Sequence, residues 1–417
     1  MKHAIALFLL AVLLLSCMNA CLPASTDGAD SGLGSPTKED GPTLTERVTA
    51  PAVHTSLAAA DYYQYKTLSG NQKTAYERLC ASIAEGKNNV DVSDLNIPRE
   101  QANHITQKVT ADNPQFFYLS KTISYTYDPN TDFLFSYQLL YTDGTTVDQY
   151  DGDKLTKTAD RGIIDGQIRQ FNAKINEVVS AIPPSLSAAE KEKKIHDYIV
   201  ANTVYDTAAA QLIGAAEPLP RAYDAYGALC TGSATCEGYA KLFQYLCYCV
   251  GIPCTQVVGT ADGGPHMWNA LQLEGDWYLT DITWNDPKGN DSNLPMYDYY
   301  NITAAEMGKN HVADASVLSV PAATTDKLTF RKVYAMNPSG NSIPANYQTV
   351  LDRLGAEKEE YLMVYIKDIS GDVQDYLSEF FFKEVSPLLA YISAKGYDIS
   401  FDTSYFVAGN YAYLKLK

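Results

Sequence analysis

The sequence predicts an α+β protein with a dense central block and smaller αβ blocks on either side. Apolar segments of helical period alternate with short Tyr-rich runs along the whole chain. Near the middle, a capped amphipathic helix is followed by a β-hairpin. The length of 417 residues, at roughly 150 per domain, allows two or three domains. With 46% apolar and 19% charged residues the chain suits a folded globular protein. Its 49 acidic against 32 basic residues leave a formal charge of −17, a surface that repels phosphate and excludes a nucleic-acid partner. The 31 tyrosines favour half-buried strands but specify no chemistry.

Residues 1–21 predict an export signal. Lys2 and His3 precede an apolar run from Ala4 to Leu15, too short for a spanning helix. Leu14-Leu15-Ser16-Cys17 resembles the bacterial lipobox, which makes Cys17 the expected lipidation site, with Cys21 a weaker second candidate. Acyl chains on Cys17 would anchor the protein to a membrane, outside the cytoplasm. Residues 22–55, rich in Pro, Gly, Ser, Thr and Asp, predict a flexible tether.

Residues 56–160 predict a small αβ block: a helix over Gln72–Glu85, a short strand, and a second helix from Pro98 to before Asn113-Pro114. Two strands then flank the turn at Asp128-Pro129-Asn130. Residues 161–316 form the core block. Its first helix carries Ile164, Ile168, Phe171, Ile175 and Val178, and its second is opened by a capping box of Ser187 and Glu190. Residues 317–417 predict a second αβ block, with helices at Tyr347–Leu354 and Val373–Ala394 and strands at Tyr361–Lys367, Tyr397–Phe401 and Tyr411–Leu416.

The chemistry concentrates between Tyr226 and Asp286. Cys236 opens an amphipathic helix whose apolar face is Tyr239, Leu242, Phe243, Leu246 and Val250, stopped at Gly251 with Pro253 beyond. A thiol at a helix N-terminus meets free N–H groups and the positive end of the dipole, which favour a thiolate. His266 and Asp281 lie on the two arms of a hairpin turning at Glu274-Gly275. A two-residue turn there sets Asp281 opposite Trp268, on the face of His266. Thiol, imidazole and carboxylate are the parts of nucleophilic acyl transfer. The remaining thiols favour neither a disulfide framework nor metal, since Cys247, Cys249 and Cys254 fit no zinc spacing and read as buried small residues. The acidic stretch Asp286–Asn293 likewise fits no calcium spacing, so no metal and no cofactor is expected.

These motifs resemble the bacterial transglutaminase-like superfamily: Cys236-Glu237-Gly238-Tyr239-Ala240, then Gly251-Ile252-Pro253-Cys254 leading to Val257-Val258-Gly259, then His266-x-Trp268-Asn269. Gly275-x-Trp277-Tyr278-x-x-Asp281-x-Thr283-Trp284 completes the set. The resemblance implies a papain-like core in which a Cys-bearing helix packs on an antiparallel sheet. It implies Cys236 as nucleophile, His266 as general base and acid, and Asp281 as the residue orienting His266. Related enzymes use a side-chain oxyanion donor upstream of the Cys, and Tyr226 is the candidate here. The implied activity is that of a cysteine protease, amidase or transglutaminase acting on an extracytoplasmic protein or peptide. The alternative is a catalytically silent binding or scaffold module of the cell envelope.

Overall fold

The computed structural model describes residues 39–286, 295–337, 346–357, 361–367, 369, 371–382, 394 and 405–415. The apolar run, Cys17, Cys21, most of the acidic stretch after Asp286, the strand expected at Tyr397–Phe401 and most of the far end of the helix expected to reach Ala394 lie outside the described residues. Chain contacts divide the protein into two compact units: the chain up to Trp277 with Gly308–Ala322, and Tyr278–Met307 with Ala323–Lys417. No helix among the described residues is long and apolar enough to cross a membrane.

In the first unit, α1 (Gly70–Glu85) is closed at its start by the Gln72 side chain, which accepts from the Ser69 N–H at 3.1 Å, and stopped by Gly86 in the left-handed region. It is followed by β1 (Asn89–Asp91), α2 (Ala102–Asp112), β2 (Leu119–Tyr127) and β3 (Leu134–Tyr141), the strands in the order β1-β3-β2. Tyr76, Leu79, Ile83, Ile105 and Val109 bury the facing stripes of the two helices. An ion pair is buried beside this sheet. Arg161 donates to both oxygens of Asp148 at 3.1 and 2.8 Å, and the same carboxylate takes hydrogen bonds from Asn88 and from the Tyr141 and Ala159 N–H groups.

Next come α3 (Arg161–Ser180), capped by Asp160, and α4 (Ala188–Asn202), where Ser187 and Glu190 form the expected capping box. They lead to α5 (Cys236–Cys249), which Gly251 ends at φ 82°. β4 (Cys254–Ala261), β5 (Gly264–Leu273), β6 (Asp276–Thr280) and β7 (His311–Ala313) make a sheet in the order β6-β5-β4-β7. Glu274 and Gly275 both have positive φ, 53° and 88°, which is the two-residue hairpin turn expected between β5 and β6.

The tether reading of 22–55 is corrected from residue 39 onward. The Glu39 N–H donates to Asp153 O at 2.8 Å, Gly41 N–H to Asn88, and Thr45 and Glu46 N–H to Asp165. Leu44 and His54 are buried. A segment poor in apolar period is held here chiefly by its backbone N–H groups, which composition does not show.

In the second unit, β8 (Tyr361–Tyr365), β9 (Tyr405–Ala408) and β10 (Tyr411–Lys415) form an antiparallel sheet in the order β8-β10-β9, accompanied by α6 (Tyr347–Glu357) and α7 (Val373–Phe382). Strand alternation divides its core. Leu362, Val364, Ala412 and Leu414 pack with Val350, Leu354 and Leu377, while Met363, Tyr365, Tyr411 and Tyr413 pack with Tyr297, Tyr300, Phe330 and Tyr334.

Candidate active site

Cys236 is the first residue of α5, and it is buried. Thr235, the preceding extended residue, does not cap the helix with its side chain. Its hydroxyl turns back to Ala222 O at 3.3 Å, leaving the first-turn N–H groups to an anion. Gly238 is required at this start, because a Cβ there would lie 2.5 Å from Ala222 O. The helix lies along the sheet. Tyr248 donates to Cys254 O at 2.9 Å, Gln256 to Gln244 at 2.7 Å, and Asn269 to Ala240 O at 3.0 Å. One further turn back along this helix face, toward the β5 end that carries His266, comes Cys236.

His266 is buried on β5 and opposes Gly259 of β4. Pleat alternation turns Met267 and Asn269 to α5 and places His266 with Trp268 on the alternate face, their rings 6.1 Å apart at 21°. Asp281 follows the last residue of β6 and is fully buried. Its N–H donates to Tyr299 O at 2.9 Å, and its carboxylate accepts from the Trp284 N–H at 3.1 Å.

Tyr226, the candidate oxyanion donor, is buried. Its one hydroxyl proton goes to Gln170 Oε1 at 2.6 Å, and its ring stacks on Phe117 at 5.0 Å, just before a π-helical turn over Gly227–Thr231. Beside Cys236, Glu237 is buried between two lysines. Lys121 of β2 reaches it at 2.9 Å and Lys241 at 2.6 Å. These three side chains, with Phe116, Leu219 and Tyr223, help line a cleft. The six described cysteines form no disulfide. Burial holds Cys230 and Cys249 up at about 12 and also raises Cys80 and Cys247. His311 was not anticipated. It belongs to a three-residue strand far from His266 in sequence, yet its ring lies 5.5 Å from that of His266.

Residues 175–282 match the Transglutaminase-like superfamily. The chain is 32% identical over 136 residues to the kyphoscoliosis peptidase of Mus musculus, covering 29% of this chain and 20% of that protein. It is 35% identical over 107 residues to the kyphoscoliosis peptidase of Homo sapiens, covering 23% and 15%. The chain thus spans a fifth or less of the length of these relatives. Among solved structures, a TGase aligns with 16% identity and a TM-score of 0.26, over 41% of this chain and 52% of its own. A candidate cysteine protease from Cytophaga hutchinsonii aligns with 15% identity and a TM-score of 0.23, over 46% and 62%. The fold is α+β with a transglutaminase-like core.

Proposed function

We propose that this chain is a thiol enzyme acting on amide bonds of a protein or peptide by Cys-His-Asp acyl transfer. The observation that carries it is Cys236 as the opening residue of α5, with the N–H groups of that turn left uncapped by Thr235. In this reading the Cys236 sulfur attacks the amide carbonyl, and the first-turn N–H groups stabilise the oxyanion. His266 passes its proton to the leaving amine, so the C–N bond breaks and a thioester remains. Water or a second amine, deprotonated by His266, then takes the acyl group. Asp281 holds the tautomer of His266 and supports the imidazolium. The family match and the peptidase relatives support this class of chemistry. Incubation with a peptide library, with and without a primary amine, and mass spectrometry of the products tests it. Cleaved peptides indicate hydrolysis and amine adducts indicate cross-linking. Neither, with intact folding, removes the reading.

A second reading, a catalytically silent binding or scaffold module, is favoured by one observation: His266 lies on the face of β5 opposite to that packed on α5. Slow, non-selective alkylation of Cys236 would support it. We further propose extracytoplasmic attachment to the bacterial cell envelope through a lipid on Cys17. Cys17→Ser should move the protein to the soluble fraction, and release by Cys21→Ser instead would transfer the role to Cys21.

A further inference from the structure

His311 lies beyond the 175–282 segment that matches the family, yet the fold brings it to the candidate base. β7 pairs antiparallel with the outer edge of β4, His311 opposite Ala261 and Ala313 opposite Gly259, while Gly259 also opposes His266 on the other side. The strand is pinned at both ends. The Asp262 N–H donates to Asn310 O at 2.9 Å, and the Asp314 N–H donates to Val258 O at 2.8 Å. Within β7, His311 is buried while Val312 is 67% exposed, so the short strand serves to turn one ring inward.

That ring meets His266 nearly edge-on, with centroids 5.5 Å apart and planes at 61°. A ring nitrogen of each lies within 4.8 Å of the other. Trp268 completes the group, face-on to His266 at 6.1 Å and edge-on to His311 at 5.0 Å and 76°. Aromatic rings attract in such edge-to-face arrangements because a positive edge meets a negative face. The plane of His311 is itself fixed. Its Nδ1 lies 2.8 Å from Asn310 Oδ1, and an amide oxygen only accepts, so Nδ1 carries the proton.

We propose that His311 is a positioning residue for His266: the rings of His266, Trp268 and His311 pack on one another, and this three-ring clamp holds the imidazole in one orientation for proton transfer. This rests on the acyl-transfer reading. The clamp limits rotation about the His266 side chain, so its ring nitrogens keep fixed directions while the proton moves from thiol to leaving amine. Proton transfer by a positioned side chain contributes on the order of 100- to 10,000-fold, and misdirection forfeits part of that. What the clamp requires of residue 311 is an aromatic ring, not a second base.

The test is the rate of iodoacetamide alkylation of Cys236 in the full chain at pH 7, read by mass spectrometry. It compares wild type, His311→Phe, His311→Leu and His266→Ala. Phe and Leu both fill the buried volume, and only Phe keeps a ring. His311→Leu should slow alkylation about tenfold or more, toward the His266→Ala rate, while His311→Phe should stay within about threefold of wild type. Alkylation of the Leu variant at the wild-type rate would overturn the clamp, as would a Phe variant as slow as Leu. If wild type and His266→Ala react equally, the acyl-transfer reading itself fails, a result distinct from failure at residue 311 alone.

Discussion

Gly259 stands directly opposite His266 in the β4–β5 ladder, and a Cβ at that position would lie 2.0 Å from Val312 O and 2.9 Å from Trp268. The absent side chain is what lets β7 and the Trp268 ring close on the sheet at this level. Gly259→Ala should therefore cost about 1–3 kcal/mol by overpacking. It should also slow Cys236 alkylation, because the ring beside His266 is displaced. A thermal melt and an alkylation time course check both effects. An unchanged melting temperature would mean that β7 yields without cost.

Thiol selectivity is the most direct probe of the site. Burial keeps Cys230 and Cys249 near 12 and raises Cys80 and Cys247 as well, so all four remain protonated thiols at neutral pH. In the folded protein Cys236 should be the first cysteine labelled by iodoacetamide at pH 6–7, by a margin of at least about tenfold. Labelling of Cys230 ahead of Cys236 would contradict the enzyme reading.

Arg161 and Asp148 form a buried ion pair, with side-chain exposures of 6% and 0%. Removing one partner strands the other charge. Arg161→Met should destabilise the first unit by about 3–5 kcal/mol, measured by urea denaturation. The double variant Arg161→Met with Asp148→Leu should recover part of that loss, since it leaves no buried charge.

Asp112 supplies a pH dependence. Burial lifts its carboxyl from 3.8 to about 7, against the opposing hydrogen bonds from the Tyr65 and Gln64 N–H groups and from Tyr76. A carboxyl raised on folding binds its proton more tightly in the native state. Its stabilisation is complete below about pH 4 and is lost as pH rises through 7. Relative to Asp112→Asn, the wild type should lose a few kcal/mol, up to about 4, between pH 4 and 8. Parallel denaturation curves for the two proteins across that range would refute the assignment.

The parts of the site written in local sequence were legible. A stop at Gly251 and an apolar stripe through Tyr239, Leu242, Phe243 and Leu246 fix the helix that Cys236 opens, and Glu274-Gly275 fixes the hairpin turn. His311 was not legible, because its place depends on β7 reaching the edge of β4 across a long stretch of chain, and nothing near residue 311 records that pairing. The hydrogen bond of Tyr226 was not legible for a related reason. The family resemblance makes this tyrosine a candidate donor, and only the fold shows its hydroxyl bonded to Gln170. The arm at 39–55 was misread because backbone N–H groups, identical in every residue but proline, do the holding.

The bonds that cross from the first block into the core bear on modularity. Lys121 of β2 neutralises Glu237. Gln244 of α5 and Gln256 of β4 both donate to Ala111 O, at 2.9 and 3.0 Å, and Tyr62 stacks on Tyr248 at 4.2 Å. None of Tyr62, Ala111 and Lys121 lies within 175–282. The stretch that carries the family signature is therefore not an autonomous cassette. Excised, it would present a buried carboxylate short of one counter-ion and two glutamine side chains short of an acceptor. Transplanting this chemistry onto another protein would require carrying the upstream hundred residues with it.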